Sequence, residues 1–176
     1  MENILMRNLR YQKFLKTGLA LAFFCFNPLV FAAEAGSAMP ACKVSPIGST
    51  QIEDLQRYKG QVLYVDFWAS WCGPCAQSFP FLNEMHEQLK DQGLQIVGVN
   101  LDENTEDAKA FLAKIPASFS VVADVSKQCA TDFDVKAMPS SYLIDRKGII
   151  HSVHLGFRPG DAKELRALVE SLLAAK

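Results

Sequence analysis

The sequence predicts an α/β sandwich, a central mixed sheet flanked by helices. Two observations carry this: β-branched and aromatic runs alternate with apolar stripes at helical spacing through the middle of the chain, and a strand-like pair around Arg146-Lys147-Gly148 followed by one more helical stripe closes it. The 176 residues are 49% hydrophobic, with 18 basic and 19 acidic side chains, which suits one globular domain and excludes a disordered chain. A formal net charge of −1 leaves no basic stripe for phosphates, so no nucleic-acid partner is expected.

The elements follow in order. Arg7, Arg10, Lys13 and Lys16 precede an apolar run from Gly18 to Ala33 broken only by Asn27 and Pro28, so residues 1–32 read as a signal peptide cleaved near Ala32 to Ala35. An uncleaved anchor is the alternative, but the run is short of the roughly 20 residues that span a bilayer. Phe24 before Cys25 argues against lipidation, which needs a small residue there. Cleavage would move the net charge from −1 to −4 and leave four cysteines, Cys42, Cys72, Cys75 and Cys129. An even count in an exported chain points to disulfides, with three pairings open.

Residues 33–49, rich in Ala, Pro, Gly and Ser, read as a linker or irregular lead-in, with packing expected from about Thr50 and the domain spanning 50–176. Residues 62–68 (VLYVDFW) read as a strand, followed at once by Cys72-Gly73-Pro74-Cys75 and a helical stripe of Phe79, Leu82, Met85 and Leu89. Gly93 ends that helix and Leu94 to Asn100 supplies a second buried strand, completing a β-α-β unit. Asn104 or Thr105 caps a helix carrying Ala108, Phe111, Leu112 and Ile115, which stops before Pro116. A short strand at Val121 and Val122 and a helical turn from Lys127 to Phe133 come next. Ser140 to Asp145 and Ile149 to Leu155 form a hairpin, and Asp161 with Glu164 has capping-box spacing before the stripe of Leu165, Leu168, Val169, Leu172 and Leu173.

The chemistry sits in the Cys-x-x-Cys turn. Pro74 suits the first turn of a helix, placing Cys72 where unpaired N–H groups and the helix dipole favour a thiolate, so Cys72 is the expected exposed nucleophile. Lowering a thiol from about 8.5 to near 7 needs roughly 2 kcal/mol, more than the ~0.3–1 a helix end supplies, and a hydrogen bond from the Cys75 thiol makes up the difference. Cys75 is then the resolving thiol. Zinc is disfavoured because no second pair stands at finger or ribbon spacing, so no metal is expected. A purely structural Cys72–Cys75 bridge is also disfavoured, since so short a loop constrains the unfolded chain little. Cys42 and Cys129 are the opposite case: closing a long loop stabilises by roughly 3–5 kcal/mol, and they are expected to be a structural disulfide. His151 and His154, three apart on a strand, face opposite sides and suit surface positions, and His86 is expected to be solvated. No glycine-rich nucleotide loop occurs, so the expected redox group is the Cys72–Cys75 pair itself, without an added cofactor.

The segment VDFWASWCGPC resembles the active site of thioredoxin, with Asp66 six residues before Cys72, Trp71 directly before it and Pro80 five after Cys75. Met138-Pro139 resembles the family's cis-proline corner, and the resemblance implies that Trp71, Gly73, Pro74, Met138 and Pro139 form a groove for an extended substrate segment. The 38 residues from Leu101 to Met138, with their extra helix and strand, are similar to those of the exported TlpA/ResA/DsbE-like branch. That branch implies a periplasmic protein-disulfide reductase acting on disulfide-containing client proteins, in cytochrome c maturation, supplied by a membrane donor of DsbD or CcdA type, with membrane attachment only if the N-terminal anchor is retained. It also implies that Asp66 is a general base for Cys75, although Gly98 stands where thioredoxin has a lysine, so burial without a cationic partner should raise the Asp66 pKa. Ser78 replaces the acid that ResA-like proteins carry three residues after the second cysteine. A disulfide oxidase or isomerase and a non-catalytic client-binding module remain the alternatives, because direction depends on reduction potential and partners.

Overall fold

The computed structural model describes residues 33–175, and the signal peptide or anchor expected over 1–32 lies outside them. Seven strands, β1 (Lys43–Pro46), β2 (Glu53–Asp54), β3 (Val62–Trp68), β4 (Leu94–Asn100), β5 (Ser120–Ala123), β6 (Ser140–Ile144) and β7 (Ile150–Leu155), form one sheet in the order β2-β1-β5-β4-β3-β6-β7. The central strands β3, β4 and β5 are parallel and the flanking pairs antiparallel, giving the mixed sheet expected. Helices α1 (Gly73–Leu89), α2 (Thr105–Lys114), α3 (Gln128–Asp132) and α4 (Ala162–Ala174) complete the chain.

Side chains along β3 alternate between two cores, as the two-residue period requires. Val62, Tyr64 and Trp68 meet α1 through Cys75, Phe79, Leu82, Met85 and Leu89, α2 through Ala108 and Phe111, and α4 through Val169. Leu63, Val65 and Phe67 meet the other core, with Val44, Phe133, Tyr142 and Ile150. Trp68, Phe79 and Phe111 stand edge-on or tilted to one another, with ring centroids 4.8–5.1 Å apart. The α2 stripe thus serves to cover the strand leading into the Cys-x-x-Cys turn. Helix α1 gives way to a 3-10 turn, Lys90–Gln92, which Gly93 ends at φ 97°, a left-handed conformation that glycine adopts without a Cβ penalty.

Three expectations require correction. Residues 33–49 are part of the fold: β1 pairs with β5, Met39, Cys42 and Val44 are buried, and Gly36 and Met39 donate backbone hydrogen bonds to Ile150 and Gly148. The strand is hidden in the sequence because it is four residues long and ends in a proline, whose missing N–H is tolerable at a strand end. Asp161 does not cap α4 with its side chain, but accepts from the Arg158 N–H at 2.8 Å and lies 3.2 Å from His154 Nε2. His86 is only half exposed, its Nδ1 is buried without a partner, and desolvation pulls its pKa down.

Candidate active site

The turn expected to carry the chemistry lies between the C-terminal end of β3 and the first turn of α1. Cys72 is the N-cap of α1, its sulfur accepting from the Cys75 N–H at 3.2 Å, and Pro74 occupies the first helical turn, where its missing N–H costs nothing. Cys72 and Cys75 form a disulfide, with Cα atoms 5.3 Å apart. Cys75 is fully buried and Cys72 is 5% exposed, so only the first sulfur can be approached from solvent, and less openly than the sequence suggested. Trp71 beside it is 72% exposed. The Met138–Pro139 bond is cis, and Met138 packs on the core that contains both cysteines. The Ser78 hydroxyl is buried and donates to the Cys75 carbonyl at 3.0 Å.

Asp66 projects from β3 toward the α1 side of the sheet and is 1% exposed. One oxygen accepts the Ser141 hydroxyl at 2.6 Å, while Oδ2 is buried with no partner. Burial pushes its pKa up to about 7, against which the Ser141 hydrogen bond favours the charged form. An unfolded aspartate titrates near 3.9. The folded state therefore holds an extra proton between the two values, and the stability this confers is full below the unfolded pKa and lost as pH rises through about 7. Asp66→Asn, which carries no charge to bury, is expected to be more stable than the parent by a few kcal/mol above neutral pH. The advantage should shrink as pH falls toward 4, as denaturant titrations at several pH values would show.

One support was not singled out in the sequence. The Asp102 carboxylate accepts the Ser70 backbone N–H at 3.0 and 3.1 Å, its hydroxyl at 3.0 Å and the Asn100 side-chain amide at 2.8 Å. Lys127 Nζ donates to the Asp102 carbonyl at 2.9 Å. This network ties the end of β4 to the loop two residues before Cys72. Asp102→Ala should cost about 2–3 kcal/mol and speed amide exchange at Ser70, because it strands several donors at once. Beside the same loop a cleft of about 350 Å³ opens between α1 and α2, lined by Ser70, Ala76, Asp107, Phe111, Lys114 and Ile115.

On the opposite face, Cys42, immediately before β1, is bonded to Cys129 in α3, with Cα atoms 4.8 Å apart and a sequence separation of 87. His151 is exposed on β7, and among the described residues no cluster of His, Cys, Asp and Glu could hold a metal ion.

The sequence matches the family model described as Redoxin over residues 34–169. It is 30% identical to the thiol-disulfide oxidoreductase ResA of Bacillus subtilis over 152 residues, covering 81% of this chain and 84% of that protein. A solved structure from Chlorobium tepidum, named for a DsbE-type thiol:disulfide interchange protein, is 43% identical, with a TM-score of 0.77 over 81% of this chain and all of that one. StoA of Bacillus subtilis, at 23% identity and a TM-score of 0.61 over 73% of this chain and 96% of its own, shares the fold.

Proposed function

The chain belongs to the Redoxin family, among the ResA- and DsbE-like thiol-disulfide oxidoreductases of thioredoxin fold, and from that premise we propose that it reduces disulfides of partner proteins through Cys72 and Cys75. The observation that carries this is the asymmetry of the pair: a helix-capping sulfur with an exposed tryptophan beside it, and a second sulfur sealed beneath it. In the reduced enzyme the Cys72 thiolate attacks one sulfur of a client disulfide. A Cys72–client bond forms and the other client sulfur leaves with the electron pair. Cys75 then gives its proton to Asp66 and attacks Cys72 Sγ. The second client sulfur leaves and takes up a proton, so the client gains two electrons and the enzyme returns to its disulfide. Trp71, Gly73, Pro74, Met138 and Pro139 surround the reacting sulfurs as the client groove.

Residues 1–32 serve as a signal peptide or retained anchor, and residues 33–176 form one thioredoxin-like domain on the periplasmic side. Two disulfides suit an oxidising compartment. No described helix is long and apolar enough to cross a membrane. A reductant there needs a dedicated electron supply, which a DsbD- or CcdA-type membrane donor provides, and apocytochrome c is the client class. No cofactor beyond the cysteine pair is required. The deciding experiment is the equilibrium reduction potential of Cys72–Cys75 against a defined thiol buffer. A value near or below about −270 mV supports reduction, whereas one near −120 mV makes the protein a disulfide donor and overturns the reading.

A further inference from the structure

The buried carboxylate has an asymmetry that the reaction above does not explain. Of its two oxygens, Oδ1 is held by the Ser141 hydroxyl at 2.6 Å, and Oδ2 is buried and bare. No residue among those described hydrogen-bonds Oδ2, and the indole N–H of Trp68, two residues along β3, is likewise buried without a partner. In β4 the register neighbour is Gly98, which has no side chain to offer, and a Cβ there would come within 3.1 Å of the Phe119 ring and 3.2 Å of the Trp68 indole nitrogen. From β3 itself comes Tyr64, two residues away on the same face, whose hydroxyl is held neutral by burial and by the nearby carboxylate. Helix α4 contributes apolar Leu165, Leu168 and Val169. His154 on β7 stands opposite Ser141 in register but is engaged by Asp161. Helix α1 contributes Cys75 to the core that also holds Tyr64 and Trp68, the residues flanking Asp66 on its face of β3.

We infer that Ser141 is a positioning residue for the resolving step: its hydroxyl fixes Oδ1 of Asp66 and stabilises the carboxylate, so that Oδ2 is the open acceptor for the Cys75 proton. The inference rests on the reading of Asp66 as the base for Cys75. The step is a proton transfer, Cys75 thiol plus Asp66 carboxylate giving Cys75 thiolate plus Asp66 carboxylic acid. It precedes attack on Cys72 Sγ and needs no other reactant. A hydroxyl that donates only to the ionised acid lowers the pH at which that acid can accept a proton from the thiol. Ser141 does this without placing a charge in the core, which a lysine at position 98 would do while crowding Phe119 and Trp68.

The test is the stopped-flow reaction of the reduced full chain with an aromatic disulfide that releases a coloured thiolate twice, first on attack by Cys72 and then on attack by Cys75. For Ser141→Ala the second release should slow about tenfold on the acid side of neutrality and recover as pH rises, with the first release unchanged. Ser141→Thr, which keeps the hydroxyl, should retain the parent profile. The infrared carbonyl band of the protonated Asp66 should persist to higher pH in Ser141→Ala than in the parent. If Ser141→Ala keeps both the parent profile and the parent band while Asp66→Asn abolishes the acid limb, the inference fails and the base assignment stands. If Asp66→Asn also leaves the second release unchanged, both fail.

Discussion

Replacing Cys72 with serine is expected to reduce disulfide turnover to the uncatalysed background, a loss of about three orders of magnitude or more, because a serine hydroxyl is not ionised near neutral pH. The size of the effect follows from geometry. Cys75 is fully buried and cannot meet a client first, so nothing substitutes for Cys72. Cys75→Ser should behave differently. Its Cys72 remains able to attack, and without a resolving thiol the mixed disulfide with a client accumulates and survives non-reducing electrophoresis. Insulin reduction by both variants, together with trapping by Cys75→Ser of a peptide containing one disulfide, would check this pair. A protein that only holds clients would bind the peptide equally in both variants and release it without any thiol reagent.

The second large effect concerns stability. Replacing Cys42 and Cys129 together by alanine is expected to cost about 4–5 kcal/mol, the chain-entropy value for a loop closed across a sequence separation of 87. That is a large part of the total stability of a domain this size. The loss should appear as a lower midpoint in guanidinium unfolding. Since the bridge lies in the core on the far side of the sheet from Cys75, the reduction potential of Cys72–Cys75 should stay at its parent value. A mild reductant that reaches the Cys72 sulfur, the only one of the four with more than 1% exposure, would open that pair and leave the Cys42–Cys129 bridge intact, which mass spectrometry after alkylation can count.

What the sequence disclosed and what it withheld divide along a physical line. The Cys72-Gly73-Pro74-Cys75 turn, the helical stripes of α1 and α2 and the hairpin of β6 and β7 are local patterns, with periods of two or 3.6 residues and turn residues at fixed offsets. They were legible for that reason. Ser141 and Asp102 were not, because one is a polar residue within an apolar strand and the other follows a strand end. Each acquires meaning only when the sheet brings it to Asp66 or to Ser70, across 75 and 32 positions of sequence. Strand β1 escaped for a third reason: its hydrophobicity is ordinary and its pairing partner is β5, far along the chain. His86, beside Met85 and Glu87 on α1, was expected to be solvated, but its ring is half covered.

Strand β1 also changes what lies at the margin of the sheet. Without it β5 would end the sheet on that side, presenting unpaired N–H and C=O groups beside Val121 and Val122 to any other extended chain. With it the margin passes to β2, two residues long and composed of Glu53 and Asp54. A strand that short offers few backbone groups for pairing. An enzyme that acts on disulfide-containing chains thus gives them little backbone to add to on this side of its own sheet.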